Sequence, residues 1–110
     1  RVLIYNGDTD ACVPYNGAED WTSELAAQES LLQDRSWSPW LVNNQNAGYV
    51  TSWDGGRFAF ATVTGAGHMV PEDKPRESLA LFRRFLAGDS PLQSVLPCIS
   101  SFTLFMKIED

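Results

Sequence analysis

VLIYNGDTDACVP, Val2 to Pro14, decides the fold, because it carries a continuous apolar run straight into a loop holding two aspartates. Val2, Leu3, Ile4 and Tyr5 show no alternation, as expected of a parallel strand covered on both faces. Such a strand needs neighbours on each side, and only Arg1 precedes it, so earlier strands are expected upstream of Arg1 or in another chain. Asn6-Gly7-Asp8-Thr9 forms a turn leading to Asp10, and Asn16 is then a candidate helix N-cap with Glu19 as capping-box partner. Ala18, Trp21 and Leu25 recur at helical spacing as the buried stripe of that helix. Strand, acid-bearing loop and helix together make an α/β unit.

Ala26 to Asn46 is polar with weak periodicity and reads as a long loop containing Trp37-Ser38-Pro39-Trp40 and a short strand at Leu41 to Asn43. Ala47 to Trp53 alternates, Asp54-Gly55-Gly56 marks a tight turn, and Arg57 to Thr64 completes a hairpin. Its second strand delivers the chain to GAGHMVP, Gly65 to Pro71. Pro75 suits the first turn of a second helix, Leu79, Phe82 and Leu86 mark its buried face with Phe85 beside them, and Gly88 sits at its C-terminal cap. Residues 89–110 form a tail in which Phe102 to Met106 is a candidate strand with no assigned partner.

The formal charge of −6 over 110 residues argues against a nucleic-acid or anionic-membrane surface. No apolar run approaches the ~18 residues that a membrane-spanning helix needs. Two cysteines, Cys12 and Cys98, do not define a disulfide framework, and with a single histidine they cannot complete a Cys/His metal cluster. Their pairing with each other, pairing elsewhere and persistence as free thiols stay open. No metal or other cofactor is expected.

His68 is the only histidine, and an imidazole can accept a proton from a hydroxyl and return it to a leaving group near neutral pH. Gly65 and Gly67 allow the loop to bend so that the ring projects outward. Asp10 is the matching acid, placed just past a strand's C-terminal end, where α/β sheets build their sites. Of the two aspartates, Asp8 is assigned the turn and Asp10 the histidine. Acid before histidine is the chain order of the α/β-hydrolase triad, whose serine comes first on a Gly-x-Ser-x-Gly elbow. No such elbow occurs in these 110 residues.

GDTDACVPYNGAEDWTSEL, WLVNNQNAGYVTSW and FATVTGAGHMVPEDKPRESLALFRRFLAG, in this order, resemble the C-terminal portion of serine carboxypeptidases of the plant and eukaryotic vacuolar or lysosomal type. The resemblance covers residues 1–88 and implies an α/β-hydrolase fold, its central mostly parallel sheet flanked by helices and here truncated on its N-terminal side. It implies release of C-terminal amino acids from peptides through an acyl-enzyme, usually at acidic pH. Asp10 then matches the triad acid and His68 the triad base. Met69 matches a residue bordering the pocket of the leaving amino acid, and Cys12 falls near the site. The serine nucleophile, the oxyanion-hole glycines and the acidic pair that binds the substrate's carboxylate all lie upstream in the family. The chain alone is therefore expected to be inactive, and its expected partners are a peptide with a free C-terminus and the segment or chain carrying the serine. A homodimer is compatible with this reading, and a vacuolar, lysosomal or secreted location is implied. Two alternatives share the resemblance: an acyltransferase using the same acyl-enzyme logic, and a non-catalytic relative that has lost the serine. The tail departs from the family, whose members commonly end soon after the helix closing at Gly88.

Overall fold

In the computed structural model, which describes residues 1–88, four strands form one sheet in the order β1-β4-β3-β2. The strands are β1 (Val2–Gly7), β2 (Gln33–Val42), β3 (Gln45–Trp53) and β4 (Phe58–Val63), with helices α1 (Tyr15–Gln28), α2 (Val70–Asp73) and α3 (Pro75–Leu86). β1 and β4 run parallel, whereas β2-β3 and β3-β4 are antiparallel. This portion is thus a mixed α/β sheet with one parallel pair, and the mostly parallel character expected of it is absent among the described residues. The antiparallel pairs arise because β2, β3 and β4 follow one another through short turns, which only antiparallel strands permit.

β4 is buried at all six positions and divides the core. Phe58 and Phe60 pack with Ala18, Ala26 and Trp53 on the α1 side. Ala59, Ala61 and Val63 pack with Trp40, Val50, Val70 and Leu81 on the other. The expected two-sided cover therefore falls on β4 and less on β1, whose Val2 and Tyr5 are exposed. β1 is an edge strand among the described residues, and α1 and α3 meet only part of its faces.

Three local expectations change. α1 begins at Tyr15 after Pro14 and has no side-chain cap bond, so Asn16 lies inside the helix instead of capping it. Its buried line is Ala18, Thr22 and Ala26, one position off the predicted stripe for two members, and Trp21 and Leu25 are exposed. Small residues at i, i+4 and i+8 let the helix lie close to the aromatic sheet face, and the Thr22 hydroxyl is satisfied by donating to the Ala18 carbonyl at 2.7 Å. On α3, Leu81 is buried while Leu79, Phe82 and Leu86 are exposed. The predicted stripe exists, but its Leu79 and Phe82, with Leu3 and Tyr5 of β1, line an apolar groove of about 590 Å³ that no other described element fills.

The segment predicted as a loop is largely β2, a ten-residue strand. β2 joins β3 through Asn43 and Asn44, with φ of 51° and 62°, the left-handed pair that a two-residue hairpin loop needs. Three register irregularities break its alternation, and its place at the sheet edge tolerates Pro39. Trp40 is fully buried and reaches across β3, donating its indole N–H to the Thr62 carbonyl on β4 at 2.8 Å. It passes over Gly48, where a β-carbon would lie 1.8 Å from the Thr62 oxygen and 2.7 Å from the indole nitrogen. The Asp54-Gly55-Gly56 turn and the left-handed Gly88 after α3 are as expected. No described helix is long and apolar enough to cross a membrane. The tail 89–110, with Cys98 and the candidate strand Phe102 to Met106, lies outside the described residues.

Candidate active site

The parallel register of β1 and β4 brings their C-terminal ends together, Gly7 opposite Val63, so the loop after each strand opens at the same corner. The approach is close. A β-carbon on Gly7 would stand 2.2 Å from the Ala66 carbonyl oxygen and 2.3 Å from that of Gly67. Only glycine allows the two loops to touch here.

From the first loop, Asp10 Oδ1 accepts the backbone N–H groups of Cys12 at 2.8 Å and Val13 at 3.0 Å, turning the chain toward α1. Its second oxygen, Oδ2, meets His68 Nδ1 from the other loop at 2.9 Å. Asp10 therefore combines the local turn bond and the histidine contact that were expected to be split between two aspartates. Asp8 instead accepts the Gly65 N–H across the loops at 2.8 Å, a role its turn-forming chemistry did not reveal.

The Asp10 side chain is 3% exposed and that of His68 57%. Donation from the Val13 N–H, and next the His68 bond, hold the Asp10 carboxyl below its ordinary value of 3.8, against the opposing pull of burial. An ionised Asp10 is acceptor-only, so His68 donates from Nδ1 and its Nε2 is the atom left to accept a proton. The pair thus has a buried acid and a base facing solvent.

Around it is a hollow of about 520 Å³ bordered by Tyr5, Asn6, Val13, Met69 and Pro71. Met69 lies beside His68 at the start of α2 and is exposed. Cys12 is exposed, forms no disulfide among the described residues, and reaches Asp10 through its backbone N–H. No group of three His, Cys, Asp or Glu side chains among the described residues could hold a metal ion.

Residues 1–88 match the family model described as serine carboxypeptidase. The chain belongs to the serine carboxypeptidase family. Its similarity is closely graded across plant members. Serine carboxypeptidase-like 21 of Arabidopsis thaliana is 48% identical over 89 residues, which are 81% of this chain and 17% of that protein. Serine carboxypeptidase 1 of Hordeum vulgare is 47% identical over 88 residues, 80% of this chain and 17% of that protein. Serine carboxypeptidase-like 20 of Arabidopsis thaliana is 46% identical, again over 80% of this chain and 17% of the relative. The chain thus spans about one sixth of the length of these family members.

Proposed function

We propose that this chain is the C-terminal part of an α/β-hydrolase domain and contributes the acid and base of a serine carboxypeptidase triad whose serine lies upstream of Arg1. The observation carrying this reading is the 2.9 Å contact of Asp10 Oδ2 with His68 Nδ1 in a member of that family. Residues 1–88 form the hydrolase portion and 89–110 an added tail.

In the proposed reaction, the serine oxygen bonds to the carbonyl carbon of a peptide's last amide, and its proton passes to His68 Nε2. Asp10 offsets the charge of the resulting imidazolium and keeps Nδ1 as the donor. His68 returns the proton to the leaving amine, the C–N bond breaks, and the C-terminal amino acid departs from an acyl-enzyme. Water then repeats the cycle, giving up its proton to His68 as it attacks, and restores the serine. The hollow at Met69 would receive the leaving residue, with Cys12 at the outer rim of the acid loop. The vacuolar, lysosomal or secreted location implied by the resemblance accompanies this reading.

Alone, the 110 residues should not turn over peptides, because a base without its nucleophile and oxyanion donors completes no acyl transfer. The test joins the chain to its upstream segment and follows amino-acid release from a blocked dipeptide with a free carboxylate. Release that disappears in His68→Ala supports the assignment, and undiminished release refutes it. Hydrolysis of a glucose ester in place of the dipeptide would point to the acyltransferase alternative.

A further inference from the structure

We propose that Asp8 and Asp73 are positioning residues that set His68 by fixing the two glycine amides of the Gly65-Ala66-Gly67 tether. This rests on the triad reading above. Packing cannot orient a ring whose side chain is 57% exposed. The backbone before it is tied at every residue. The Gly65 N–H donates to Asp8 Oδ1 at 2.8 Å, and the Gly67 N–H donates to Asp73 Oδ2 at 2.7 Å. Between them, the Ala66 carbonyl accepts from the Thr9 hydroxyl at 2.7 Å and the Thr9 N–H at 3.0 Å.

The two carboxylates come from opposite directions. Asp8 belongs to the acid loop, so it links the height of His68 to Asp10, two residues further along the same loop. Asp73 closes α2, the short helix that begins two residues after the histidine, and pulls the tether back toward it. Gly65 is left-handed at φ 76°, and without a β-carbon its backbone is free to leave that conformation unless a bond holds it. A carboxylate accepting each N–H is a stronger hold than a neutral acceptor. With either bond lost, the Nδ1 to Oδ2 contact survives in fewer orientations, and Nε2 spends less time where a serine oxygen must meet it.

Asp8→Ala, Asp8→Asn, Asp73→Ala and Asp73→Asn test this in the polypeptide joined to its upstream segment. Each alanine variant should lower kcat about 10- to 100-fold with KM within about two-fold, because misplacing a catalytic group by ~1 Å is costly while binding is untouched. Each asparagine variant keeps an oxygen for the same N–H and should recover kcat to within about three-fold. The second readout is the His68 Nδ1 proton resonance in the 110-residue chain, unambiguous because there is one histidine. It should weaken in the alanine variants and return in the asparagine ones. Wild-type kcat and an unchanged resonance in both alanine variants would overturn the proposal. A resonance lost in those variants, with Asp10→Asn as active as wild type, would instead sink the triad reading and leave the positioning intact.

Discussion

Asp10→Asn isolates the chemistry of the acid from its structural work, because the two are divided between its oxygens. Oδ1 serves two backbone donors, Cys12 and Val13, and Oδ2 serves His68. An asparagine must choose an orientation. With its carbonyl toward the two N–H groups, it keeps both bonds and turns its NH₂ toward His68; the reverse sets donors against two donors. The first arrangement satisfies more groups and should prevail. His68 Nδ1 then faces a donor, accepts from it, and places its proton on Nε2, the atom that should take the serine's proton. Geometry is preserved while the tautomer is wrong, and the analogous change in serine proteases costs ~10⁴ in kcat. Two measurements check this: turnover of a blocked dipeptide by the polypeptide joined to its upstream segment, and the ring nitrogen shifts of His68. A variant that keeps turnover within about ten-fold of wild type and retains the Nδ1–H tautomer refutes the assignment of Asp10.

Gly7→Ala puts a β-carbon 2.2 Å from a backbone oxygen, against an ordinary contact of about 3.3 Å, so the loops must part by about 1 Å and kcat should fall about 100-fold; unchanged turnover would show that the loops have slack. Trp40→Phe removes a buried N–H···O bond across β3 and should lower unfolding stability by about 1–3 kcal/mol, measured by urea denaturation; no loss would mean the bond is dispensable. Since the folded Asp10 pKa lies below 3.8, the unfolded chain binds more protons between the folded value and 3.8. The stabilising contribution is complete above that window and is lost as pH falls through the folded value. Thermal melts against pH should show a smaller acid loss for Asp10→Asn, and an identical profile would rule out Asp10 as a source of it.

The elements that sequence reading located are those whose signal is local. β1 needs only its apolar run, the β3-β4 hairpin only its Asp-Gly-Gly turn, and α3 its opening proline and closing glycine. β2 was obscured because three register irregularities erase the period of two and its proline resembles a loop signal. Trp40 could not be placed for a different reason: its burial depends on Gly48 and Thr62, which lie on other strands and meet it only once those strands pair. Asp10 and His68 were legible as a pair through their order and flanking strands. Asp8 and Asp73 were not, since a carboxylate that accepts from another loop's amide has the same spacing as one that caps its own turn. Gly7 was the available clue, because it marks where two backbones come together, whereas Gly65 marks a left-handed turn.

The asymmetry between a buried acid and an exposed base follows from how the corner is built. Asp10 is enclosed by its own turn and by the opposing loop, both present in residues 1–88. His68 is enclosed on its Asp10 side only, and the hollow before it shares Tyr5 and Pro71 with the apolar groove beneath α3. A segment that filled both hollows would cross Tyr5 and Pro71 and border the ring. Under the proposed reading, the polypeptide that brings the serine would cover this groove and displace water from His68 in the same movement. The Asp10–His68 interaction would then strengthen in the drier site where it is needed, because the effective dielectric falls as water leaves. On that reading, the acid is finished in advance within residues 1–88, whereas the base waits for its nucleophile.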